Sequence, residues 1–81
     1  MSAHENFVKD ILEHELDIRI GELEKLTEDG VALRNKMTIT TSKQLYSVLK
    51  SDIDQIDKRR RELRGEISAL RQGIKKVMKE D

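Results

Sequence analysis

Eighty-one residues allow one small domain at most. Charged side chains make up 40% and aromatic ones 2%, with no Pro, Cys or Trp, so disulfides and thiolate chemistry are excluded and base-stacking surfaces are nearly so. Lys and Arg balance Asp and Glu at 16 each, which argues against the uniformly basic composition of a nucleic-acid binder.

Such a charge fraction also occurs in disordered chains, but those lack a sustained apolar period. Long helices with charged outer faces and a narrow buried stripe account for both features. The N-terminus shows no basic segment followed by an apolar run, and no stretch approaches the roughly 20 apolar residues of a membrane span. The expectation is a cytoplasmic protein with no membrane association.

The first predicted helix opens on Ser2-Ala3-His4-Glu5, which has the form of a capping box. Val8, Leu12, Leu16, Ile20 and Leu23 follow on one face, and Phe7, Ile11 and Ile18 widen the stripe. Acids crowd the first turns, where the helix dipole favours them. Gly30 admits two readings. As a terminal cap it would leave Val31, Leu33, Met37 and Ile39 in a long loop too apolar for an exposed linker. As helix interior it costs only ~1 kcal/mol against Ala, and Leu26, Gly30, Leu33 and Met37 continue the stripe. The second reading is preferred, with Asn35 as a left-handed cap near the end.

Thr38-Ile39-Thr40-Thr41 is β-branched and rich in hydroxyls, a poor continuation of a helix. Thr41-Ser42-Lys43-Gln44 again has capping-box form, so a second helix is expected from Ser42 to about Lys79, a rod of ~57 Å. Within it Tyr46, Leu49, Ile53, Ile56, Arg60, Leu63, Ile67, Leu70, Ile74 and Val77 fill successive a and d positions of a heptad repeat. That 3.5-residue period marks a helix seamed against another helix throughout its length.

Two partners for the seam can be compared. In a parallel dimer of the second helix, Asp52 meets Asp57, Arg59 meets Arg64, and Arg60 meets its own copy. Folding back on the first helix removes these conflicts. Residues 1–29 hold nine acids and three bases, a net −6, which leaves +6 for residues 30–81. An antiparallel hairpin turns that asymmetry into attraction. Facing positions then have numbers summing to about 77, so Ile53 is expected near Leu23, Ile56 near Ile20, Leu63 near Leu12 and His14, Leu70 near Phe7 and Val8, and Arg60 beside Asp17.

The sequence therefore predicts an all-α protein. One domain spans 1–81: an antiparallel, coiled-coil-like two-helix hairpin with helices over about 3–35 and 42–79 and a connection over about 36–41. Two helices enclose little surface, so hairpins are expected to assemble into a helical bundle or larger homo-oligomer.

Candidate sites are of two kinds. Apolar residues outside the seam, Ile18, Val31, Leu45, Val48 and Met78, are expected to dock a protein partner. The alternative is capture of a phosphate-bearing ligand, a nucleotide or nucleic acid. Arg34, Lys43 and Tyr46 around the second helix's N-terminus, and the basic cluster Lys58, Arg59, Arg61 and Arg64, would hold it. His4 and His14 lack metal-ligand spacing, no Gly-rich phosphate loop is present, and no carboxylate sits in an apolar setting suited to acid catalysis. No catalytic residue, cofactor or metal is assigned, and the expectation is a non-enzymatic adaptor, chaperone-like factor or inhibitor.

Leu49-Lys50-Ser51-Asp52-Ile53-Asp54-Gln55-Ile56-Asp57, followed by Arg64, resembles the first helix of the all-helical chorismate mutases over about a fifth of the chain. The likeness is mostly heptad pattern. That family builds its active site with two further helices, whereas this sequence continues in a single one, so the activity is not carried over.

Overall fold

The structure, a computed structural model, describes residues 3–79, with the Glu5 side chain outside that description. It consists of two α-helices of 37 residues each, α1 (Ala3–Ile39) and α2 (Lys43–Lys79), with no strand among the described residues. They lie antiparallel as an all-α hairpin measuring 60 × 14 × 12 Å. The capping box expected from Ser2 and Glu5 lies outside the described residues.

The heptad of α2 supplies the core. Leu49, Ile53, Leu63 and Ile67 are buried, and Leu63 is wholly enclosed at 0% exposure. Leu12, Leu16, Ile20, Leu23, Leu26, Leu33 and Met37 of α1 face them half-buried. A two-helix rod covers each seam residue from one side only, so most of them keep some exposure.

Gly30 lies inside α1, as its place in the stripe predicts. It is buried, and a Cβ there would stand 3.6 Å from Ile56 Cγ2, so the glycine marks a point where α2 lies against the α1 backbone. Asn35 is not a left-handed cap: no described residue has a positive φ, and α1 continues to Ile39. Of the expected helix-breaking segment, Thr38 is carried within α1 with its hydroxyl bonded inside the helix, whereas Thr40 and Thr41 lie in the connection. Thr38 Oγ1 donates to the Arg34 carbonyl at 2.9 Å, and Thr27 Oγ1 does the same to Leu23 at 2.8 Å.

The connection is thus three residues, Thr40 to Ser42, rather than six. The Thr40 amide bonds the Met37 carbonyl at 3.4 Å, tightening the end of α1. Ser42, not Thr41, caps α2: its hydroxyl accepts from the Leu45 amide at 3.3 Å, and its carbonyl accepts from Tyr46 at 2.9 Å.

A longer α1 moves the register. Gly30 faces Ile56, Leu12 faces Gly73, and Arg19 reaches Glu66, so facing numbers sum to about 85 instead of about 77. Ile53 is therefore level with Leu33, Ile56 with Gly30, Leu63 with Leu23, and Leu70 with Leu16. Arg60 does not meet Asp17. It stands level with Leu26, its Nη1 donates to Asp57 Oδ1 at 3.5 Å, and its Nε is buried without an acceptor.

Candidate helix-docking faces

The hairpin has two broad faces, each with an open groove between the helices. The first groove, about 590 Å³, is lined by Leu26, Asp29, Ala32, Lys36, Asp52, Gln55 and Arg59, among others. The second, about 650 Å³, is lined by Ile20, Leu23, Glu24, Arg64, Ile67, Ser68, Arg71 and Lys75, among others. Residues seven apart share a row on a helix in a seam of this kind. Each candidate side chain can therefore be assigned to a face by counting in sevens from the lining residues.

Ile18 and Ile11 continue the row of Ala32 toward the open end of the hairpin, and Ile39 continues it toward the turn. Val48 lies in the row of Gln55, and Leu45 in that of Asp52. All five are exposed on the first face, with Ile39 at 81% and Val48 at 57%. Phe7, 64% exposed, stands one turn before Ile11 at the outer edge of the same stripe. Val31 shares the row of Glu24, and Met78 that of Arg71, so both belong to the second face. The five interface residues expected from the sequence are all exposed but are divided: Ile18, Leu45 and Val48 on one side, Val31 and Met78 on the other. Ile39, which falls in the connection expected over 36–41, is instead the last residue of α1 and joins this face. The seven-residue spacing from Ile18 through Lys25 and Ala32 is the signal that marks it.

Ion pairs cross the first face at mid-length, while Asp29, Lys36 and Asp52 along its groove form none among the described residues. Arg59 Nε donates to Glu22 Oε2 at 2.7 Å and Nη2 to Glu22 Oε1 at 3.2 Å, while Nη1 reaches Glu66 at 3.0 Å and Glu62 at 3.4 Å. Arg19 joins Glu15 at 2.6 Å to Glu66 at 2.9 Å. The hydrogen bond from Arg59 holds the Glu22 carboxyl below its ordinary range, and that from Arg19 does the same to Glu15. The two guanidiniums are correspondingly raised by their bonds to Glu22 and Glu15.

The residues proposed for phosphate are not gathered. Arg34 is committed to Asp57 at 3.1 and 3.2 Å, and Arg59 to its three glutamates. Lys43 and Tyr46 border a cavity of about 210 Å³ with Thr40, Thr41 and Ser42 at the turn. Lys58, Arg61 and Arg64 are exposed, but they begin about 22 Å further along α2 at 1.5 Å per residue. Among the described residues no group of three or more side chains is placed to hold a metal ion, and neither helix is long and apolar enough to cross a membrane.

No family model, no curated protein and no solved structure matches the chain.

Proposed function

We propose that this chain is a non-enzymatic interaction protein that works by docking a helix of another protein onto the first face of the hairpin. The observation that supports this reading is two groups of large apolar side chains on that side, Phe7, Ile11 and Ile18 toward the open end and Ile39, Leu45 and Val48 at the turn, all left exposed by the hairpin. Apolar patches of this kind on a soluble surface mark sites of association. A long partner helix with apolar side chains near both ends of its contacting stripe fits these two groups, and the paired charges between them would set its orientation. The role is that of a small adaptor, chaperone-like factor or inhibitor acting by occupying a surface, in the cytoplasm.

The test is parallel affinity capture with the native chain and with Ile18→Asp and Val48→Asp variants, followed by mass spectrometry. A protein retained by the native chain and by Val31→Asp, but lost from both first-face variants, supports the reading. Identical captures from all four would refute it.

A phosphate-bearing ligand is the second reading, favoured only by the exposed Lys58, Arg61 and Arg64, which form no ion pair among the described residues. Asp54 and Glu62 interrupt that cluster's approaches, and Arg34 and Arg59 are already occupied. Salt separates the two readings. Phosphate capture weakens steeply as salt rises, whereas apolar docking hardly changes.

A further inference from the structure

On the second face Arg34, in the row of Ile20, pairs with Asp57, in the row of Arg64, toward the turn, and two further charged rows run toward the open end. On α1, Asp10, Asp17 and Glu24 stand seven residues apart and form an acidic ridge. On α2, Arg61, Ser68 and Lys75 form the row at the same heights, with Arg64 and Arg71 beside it along the groove. Asp10 is level with Lys75, Asp17 with Ser68, and Glu24 with Arg61, by the register that Leu12–Gly73 and Arg19–Glu66 establish. All these charges are exposed, and none takes part in an ion pair among the described residues, although the opposite ridge runs alongside. Between the ridges lies the second groove, with Ile20, Leu23 and Ile67 lining it.

We propose that a second copy of the chain covers this face, related by a two-fold axis parallel to the hairpin, so that α1 of each copy lies on α2 of the other. That operation places an acidic ridge on a basic ridge twice. Asp10 meets the second copy's Lys75, Glu24 meets its Arg61, and Asp17 meets Ser68 between Arg64 and Arg71. The apolar floors of the two grooves then face each other and leave water. The other face-to-face two-fold, with the hairpins head to tail, lays α1 on α1 and α2 on α2. Like charges then meet along both rows, so charge alone selects the parallel arrangement. Isologous pairing of this sort uses only the second face, which leaves the first free for the protein partner. The inference stands or falls separately from the proposed function.

Charge reversal on complementary chains tests it. Glu24→Arg gives a chain with two basic ridges at that height, and Arg61→Glu one with two acidic ridges. Both positions are exposed, and circular dichroism checks that both variants keep the helix content of the native chain. In sedimentation equilibrium the native chain should dimerise, with the dimer weakening about tenfold between about 0.05 and 0.5 M salt. Each variant alone should dimerise more weakly than the native chain. An equimolar mixture of the two should recover native association, because each unlike contact is restored between copies. A native chain that stays monomeric overturns the proposal, as do variants that self-associate normally or a mixture that associates no better than its components. Loss of binding by first-face variants with this pattern intact would bear on the proposed function alone.

Discussion

Arg59 of α2 grips Glu22 of α1 with two branches of its guanidinium, Nε to Oε2 at 2.7 Å and Nη2 to Oε1 at 3.2 Å. The same residue also touches Glu66, which Arg19 holds from the other side, so five side chains, with Glu15, tie the helices together at mid-length. Both Glu22 and Glu15 have pKa values lowered from the ordinary 4.5 by these bonds. A carboxyl lowered in the fold binds fewer protons there than in the unfolded chain. Its contribution is therefore present above pH 4.5 and is lost as pH falls through the folded value. Urea midpoints followed by circular dichroism should fall on acidification below that pH, and Glu15→Gln with Glu22→Gln should flatten the dependence. Because the groups are partly exposed, molar salt should flatten it too. An unchanged acid slope in the double variant would show that these pairs contribute nothing.

Leu63 marks the other source of stability. It is wholly enclosed, level with Leu23, in the centre of a core of four buried apolar residues. Leu63→Ala removes a fully enclosed side chain, at a cost of about 2–5 kcal/mol. Val31→Ala, at a half-exposed position on the second face, should stay within about 0.5 kcal/mol. Equilibrium urea unfolding of the two variants measures the contrast, and similar midpoints would mean that the seam is not where the stability lies.

Two glycines offer stabilisation. Both have ordinary helical geometry, since no described glycine has a positive φ. A Cβ at Gly65 meets nothing within 4 Å, and one at Gly30 meets only Ile56 Cγ2 at 3.6 Å, a normal contact. Gly65→Ala should therefore raise stability by about 0.8–1 kcal/mol through helix propensity and the lower entropy of the unfolded chain. Gly30→Ala should gain at least as much, because its methyl also packs on Ile56. A lower urea midpoint for Gly30→Ala would mean that α1 and α2 approach more closely than this geometry allows.

How much of this was legible in the sequence follows from the range of each signal. The heptad from Tyr46 to Val77 is a local, repeated pattern, and it gave the second helix and its seam. The charge asymmetry gave the choice of α1 as partner. Register was lost because it hangs on the few residues at the turn. Thr38 and Ile39 have weak helix propensity, yet tertiary contact along the preceding seam and the bond from Thr38 to Arg34 carry α1 one turn further. The helix ends then sum to 82 instead of 77, and an axial stagger of the two helices adds the rest of the shift to about 85, so every expected cross-helix pair is displaced. The exposed candidates were readable because Ile18, Leu45 and Val48 fall outside the seam wherever the register lies. Their grouping onto one face, and the separation of Val31 and Met78, required the heptad phase of both helices at once. The bonds of Arg59 to Glu22 and of Arg19 to Glu66 depend on the register itself and could not be read before it.

Arg60 connects register to stability. It occupies a seam position between Ile56 and Leu63, and its Nε is buried without an acceptor. A buried donor left unpaired is destabilising, so Arg60→Leu should raise stability by about 1–2 kcal/mol. The arginine nevertheless guards the pairing. A slide of α2 by one heptad would keep apolar rows facing each other elsewhere but would bring Arg60 level with Arg19, two cations in one layer. In the observed register the two arginines lie in different layers, Arg19 held by Glu15 and Glu66. Leucine at position 60 lifts that penalty and should let the slid register become populated. Engineered cysteine pairs report it, since the chain has no native cysteine. Leu23→Cys with Leu63→Cys should oxidise to a disulfide in either background. Leu16→Cys with Leu63→Cys, level only after the slide, should do so only when Arg60→Leu is present. If that second pair stays reduced while the Arg60→Leu chain is more stable than the native one, the arginine is a cost without a specifying role. If the variant is less stable, the partial bond to Asp57 is worth more than the buried Nε takes away.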